Sequence, residues 1–297
     1  GALGTGALVT SGVATLRTGS QPSVQLGNAV SVNGALTVDT PNQLVLTGLL
    51  GGIGKLIKTG VNDLFLMGNS GFSGSLDVRQ GTVTTADLYS LGRLSSANLA
   101  SSTILNLNGS HAIGGLSGAG MVNFGMGSAL LVGGGDRDSR FDGALSGGGA
   151  LNKVGTGVLT LAGTSTLGNG HVVSAGTLKV DGTLSNSGVS VASGATLTGG
   201  GTVNGMTNVA DGGHLAGTSG STLTLSNLLL APNSHVDVAL GSPTTGSVPL
   251  FSVTGLLLLD GTLNISDAGG FGNGIYRLFE YSGGLINNIL NLGSLPS

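Results

Sequence analysis

The chain has 297 residues, 59 of them Gly, and only 8% are charged. With 10 basic against 13 acidic residues, electrostatic capture of nucleic acid is disfavoured. A hydrophobic fraction of 39% excludes a charged disordered tail, and 6 Pro without a three-residue Gly period exclude collagen. No Cys is present, so stability must come from burial and hydrogen bonds.

Twelve of the acids are Asp, and Glu280 is the single Glu. Helices fill their exposed faces with Glu, Lys, Gln, Arg and Ala. This chain uses Ser, Thr, Asn and Gly, which predicts an all-β protein of short strands and tight turns. From the N-terminus, the alternating segments "TLRTGSQPSVQL" (15–26), "GALTVDT" (34–40) and "TILNLNG" (103–109) read as strands. Asn-Gly at 33, 108, 169, 204 and 273, and Asp-Gly at 142, 181, 211 and 260, mark turns that accept positive φ. No apolar run approaches the length of a membrane-spanning helix and no signal peptide is recognisable. The chain opens at Gly1 inside the repeating pattern and reads as part of something longer.

Gly176, Gly194 and Gly212 recur at one spacing, and Pro232 marks the next corner. Each is followed by a small residue or His and then an aliphatic: Thr177-Leu178, Thr196-Leu197, His214-Leu215 and His235-Val236. A period of about 20 residues built of strands and turns is a solenoid signature, whereas a propeller blade needs about 40. The expectation is a right-handed parallel β-helix of roughly 15 coils, each stacked about 4.8 Å on the last. Inward Leu, Val and Ile would form its core, and its open ends would need caps. Five of the ten aromatics (Phe251, Phe271, Tyr276, Phe279 and Tyr281) fall near the C-terminus, which marks that end as the expected cap.

Chemistry is sparse. There is no G-x-x-x-x-G-K-[ST]; Gly54-Lys55 runs into Leu56, and the "GTG" at 155–157 reads as a coil corner. Asp136, Arg137, Asp138, Arg140 and Asp142 form the densest polar cluster. Close Asp residues could hold Ca²⁺, but the two Arg largely neutralise them, which favours a solvated loop. His214 and His235 lie one coil apart and read as an outward ladder pair without a third metal ligand. No G-x-S-x-G elbow exists, and one Glu leaves little for paired-carboxylate catalysis. No catalytic residue, cofactor or metal is expected.

The segment 147–182, "GGGALNKVGTGVLTLAGTSTLGNGHVVSAGTLKVDG", resembles the passenger-associated transport repeat of bacterial autotransporters. A weaker copy spans 51–83, with Lys58 and Lys153 at equivalent places; Asn62-Asp63 replaces its second turn glycine. The tail, with Gly274, Tyr276, Arg277, Leu278 and Tyr281, is similar to the autochaperone end of a pertactin-like passenger. The resemblance implies a type V passenger exported through its own outer-membrane β-barrel, which this sequence lacks, and displayed at the surface of a Gram-negative cell. Its organisation would be a β-helix stalk at 1–180 and, at 181–297, further coils with an autochaperone-like cap. Phe271, Gly274, Tyr276, Leu278, Phe279 and Tyr281 are the folding or capping residues implied. The function expected is a structural or adhesive rod that contacts host surfaces or sister cells. The alternative is a non-catalytic stalk beneath an enzyme domain further upstream.

Overall fold

The computed structural model describes residues 4–87, 90–243 and 248–296. Every regular element among them is a β-strand, and every pairing is parallel. The chain divides into two compact units, Gly1–Leu151 and Asn152–Ser297. The division falls inside the second transport-like repeat.

In the first unit each coil carries up to three short strands, one per face. The first face stacks Val13–Arg17, Ala35–Asp39, Lys55–Thr59, Ser75–Val78 and Ser96–Leu99 in order. The second face stacks Ser23–Leu26, Gln43–Leu46, Asp63–Leu66, Thr82–Thr85, Ile104–Leu107 and Met121–Phe124. The third begins with Leu8–Thr10, Val30–Val32 and Leu50–Gly51 and then narrows to a single bridge, Leu50 to Ser70. It resumes at Arg93–Leu94, Ser110–Ile113 and Ala129–Val132. Parallel strands cannot be joined by tight hairpins, so each coil must travel around the core before it pairs with the next.

The second unit repeats this plan. Its first face runs Val158–Leu161, Gly176–Val180, Ala195–Gly199, His214–Thr218, His235–Leu240, Thr262–Asp267 and Asn291–Leu292. The offset between paired residues grows from 18 (Thr196 opposite His214) to 29 (Thr262 opposite Asn291). The constant period read from 176–212 therefore lengthens toward the C-terminus. The extra residues fall between Leu240 and Phe251, where 244–247 lie outside the described residues, and between Asp267 and Phe279.

Alternation along each strand puts one set of side chains inside. In the second unit Leu159, Leu178, Leu197, Leu215 and Val236 stand in consecutive register and are fully buried. Each contributes about 1.5–3 kcal/mol of burial. Glycine is required where a coil corner touches the one before it. Gly199 has φ of 133°, and a Cβ there would sit 2.6 Å from the Val180 carbonyl carbon.

Candidate functional site

Outward side chains on the flat faces form hydrogen-bonded columns. On the second face of the first unit, Asn106 donates to Thr84 at 3.1 Å and Asn123 donates to Asn106 at 3.2 Å. Ser146 donates to Asn123 at 3.4 Å. Period-two alternation and in-register stacking place these residues on one line, so each amide satisfies its neighbour without charge.

On the first face the column reaches an ionic node. The Asp77 carboxylate receives Lys55 Nζ at 2.9 Å, Arg79 Nε at 3.0 Å and Asn98 Nδ2 at 3.1 Å. Burial alone would raise its pKa; the hydrogen bonds from Lys55, Asn98 and Arg79 and the Lys55 charge outweigh that and hold it below the usual carboxylate range. Ser117 continues the column by donating to Asn98 at 3.1 Å.

In the second unit His214 and His235 face each other in register, their rings stacked with centroids 4.7 Å apart and planes 20° from parallel. His214 Nδ1 is 2.6 Å from Asp237 Oδ2, and Asn264 donates to the other carboxylate oxygen at 2.8 Å. No group of three or more His, Cys, Asp or Glu among the described residues is arranged to hold a metal. Asp136, Arg137 and Asp138 are exposed in the irregular segment after the Gly134–Gly135 turn, with Asp136 at φ 54°, and Arg140 pairs with Asp142 at 2.8 Å.

The interior holds polar groups that the sequence does not reveal. His171 is 2% exposed, with Nε2 3.0 Å from Ser165 Oγ and Nδ1 3.4 Å from Ser187 Oγ. Burial pulls its pKa down to about 4, against the Gly188 carbonyl that raises it. A serine beside a histidine invites a nucleophile–base reading. Both side chains are sealed inside the coil stack, so no substrate reaches them, and the trio serves as an internal polar bridge. His111 is likewise buried and is held below its ordinary pKa by desolvation. Its Nε2 lies 3.0 Å from the Asn108 carbonyl and 3.2 Å from Thr85 Oγ1. Where the third face narrows, a concavity of about 580 Å³ opens, lined by Ser70, Phe72, Arg93, Ser110 and Leu131 among others.

The residues implied as a cap fall into two groups. Phe271 stacks on Tyr276 at 5.4 Å, and the Tyr276 hydroxyl accepts from the Gly272 amide at 3.0 Å. The same hydroxyl lies 3.1 Å from the Gly241 carbonyl, which ties the segment after Asp267 to the end of the strand at Leu240. Gly274 packs so closely on Pro243 that a Cβ would collide with it. The second group continues the second face. The Leu278 carbonyl accepts from the Phe251 amide at 3.0 Å, Phe279 stacks on Phe251 at 5.1 Å, and Tyr281 pairs with Val253. Phe251 is fully buried, whereas Tyr281 is 48% exposed and Leu292 62%.

A stretch of 96 residues, 30% of the chain, is 38% identical to the protein named Adhesin BmaC autotransporter of Brucella suis biovar 1 (strain 1330). The match spans 3% of that relative's length. No family model and no solved structure matches the chain. Together with the stacked parallel coils, the similarity fits the passenger domain of a type V autotransporter.

Proposed function

We propose that the chain is part of an exported cell-surface passenger and acts as a structural and adhesive solenoid. The observation that carries this reading is the similarity to an autotransporter adhesin in a chain whose faces are stacked parallel strands. An outer-membrane β-barrel encoded with the passenger would deliver it, and its contacts would be host surfaces or the passengers of sister cells. The uncharged Thr, Asn and Ser columns support this, because they offer a flat, repeating hydrogen-bonding surface with little conformational entropy left to lose. Among the described residues, the Ser165–His171 pair is shut away from solvent, which supports a non-catalytic role.

The region 181–297 would also promote folding and secretion. Its support is the way Tyr276 and the Phe251–Phe279 stack couple consecutive coils. The test is display of the full-length protein on a non-adherent Gram-negative host, scored for binding to cell monolayers and for sedimentation of aggregates. Gain of either is expected. Surface display with neither, accompanied by a hydrolytic activity that maps upstream of this chain, would favour the stalk reading.

A further inference from the structure

Two lysines lie where aliphatic side chains are expected. Lys58 belongs to the inward column Leu16, Val38, Lys58, Val78 and Leu99, and none of its surface is exposed. Its stem packs in that column while its head turns into the corner that follows. There the ammonium donates to the carbonyls of Thr59 at 3.0 Å, Gly60 at 2.7 Å and Gln80 at 2.9 Å. The first two belong to its own corner and the third to the next coil.

Lys153, also fully buried, repeats this in the second unit. Its ammonium donates to Val154 at 2.7 Å, Gly155 at 2.8 Å and Ala175 at 3.2 Å. The backbone matches as well. Gly60 and Gly155 have φ of 77° and 69°, and Gly81 and Gly176 have 71° and 64°. A Cβ on Gly81 would stand 2.8 Å from Lys58 Nζ, and one on Gly176 would stand 2.8 Å from Lys153 Nζ. Lys58 leads into a second-face strand and Lys153 into a first-face strand, so the device belongs to the corner rather than to one face. At other corners a hydroxyl does related work: Thr40 Oγ1 lies 2.7 Å from the Asn62 carbonyl and 3.2 Å from that of Thr59. A hydroxyl brings one proton, whereas an ammonium brings three and matches three carbonyls.

We propose that Lys58 and Lys153 are coil-to-coil clasps, each ammonium filling a three-carbonyl cation cage formed by its own corner and the corner of the following coil. Three carbonyls aimed at one point repel one another unless a cation sits between them, so the cage cannot tolerate an apolar occupant. Burial pulls Lys58 down to about 8, opposed by Asp63 and Asp39, which keeps it largely charged at neutral pH. With either lysine gone, the freed cage should accept a small primary ammonium ion.

Site-resolved hydrogen exchange on the whole chain tests this. Lys58→Met keeps the stem and removes the charge. Amides 60–62 and 79–82 should then exchange at least about tenfold faster, with those of Ser110–Ile113 unchanged. Lys153→Met should do the same at 155–157 and 174–177. In Lys58→Ala, propylammonium should restore protection and tetramethylammonium, which has no N–H, should not. Unchanged rates in both Met variants, or equal effects of the two cations, including none, would overturn the cage. The wild type supplies a reading that requires no variant to fold. Ammonium protons of Lys58 and Lys153 should exchange slowly enough to be seen by NMR near neutral pH, unlike those of Lys55 and Lys179. Equal exchange at all four would also overturn it.

Discussion

The inward column of the second unit's first face passes through two environments. Leu159, Leu178, Leu197, Leu215 and Val236 are fully buried, Leu263 is half-buried, and Leu292 is 62% exposed, although the parallel register continues unbroken through all seven. The second face shows the same change: Phe251 is fully buried, while Tyr281 on the next coil is 48% exposed. Register and burial are therefore separate properties in a stacked solenoid. Pairing with the coil before fixes where a side chain points. Closure by the coil after removes it from water, and only the second step yields the hydrophobic free energy.

The largest effects should come from the buried side of that divide. Phe251→Ala should cost about 4 kcal/mol in denaturant unfolding, because it opens a ring-sized cavity. Tyr281→Ala in the following coil should cost less than about 1 kcal/mol, as expected for a half-exposed side chain. Similar costs for the two would show that the last coil is closed in solution. Leu197→Ala against Leu292→Ala repeats the contrast within one column, at about 3 kcal/mol against less than about 1.

Acid should act on the interior in the same direction. The folded pKa of His171 lies near 4, below the ordinary 6.5. Between these values the unfolded chain binds more protons than the folded one, so stability is complete above about pH 6.5 and is lost as pH falls toward 4. The loss should reach roughly 3 kcal/mol. His171→Gln should flatten that limb of the unfolding-versus-pH curve; an unchanged slope would place the titration elsewhere. The smallest effect should be Tyr276→Phe. It removes a hydroxyl that joins Gly241 and Gly272 and should cost about 1 kcal/mol, read as faster exchange at the Gly272 amide.

The fold was legible in the residues because a solenoid repeats its local rules. Gly176, Gly194 and Gly212 do adopt positive φ of 64°, 73° and 70°, and His214 does stack on His235. The lengthening of later coils was hidden, since extra residues enter between strands and leave the strand pattern intact. The buried lysines were hidden for another reason. A charged residue is by default an exposed one, and only its place in the alternation, Leu56-x-Lys58 and Leu151-x-Lys153 before x-Gly, carries the signal. The Ser165–His171–Ser187 bridge joins residues from successive coils, which no local pattern reports. Within the aromatic cluster at 251–281, Phe251 is fully buried and stacks on Phe279.

Hydrogen-exchange protection followed along the second unit of the 297-residue chain reads the separation of register from burial residue by residue. Amides of Gly176–Val180, Ala195–Gly199 and His235–Leu240 should exchange slowest, with protection falling through Thr262–Asp267 to Asn291–Leu292. Protection highest at Phe279–Tyr281 and Asn291–Leu292, above that of the interior strands, would contradict it.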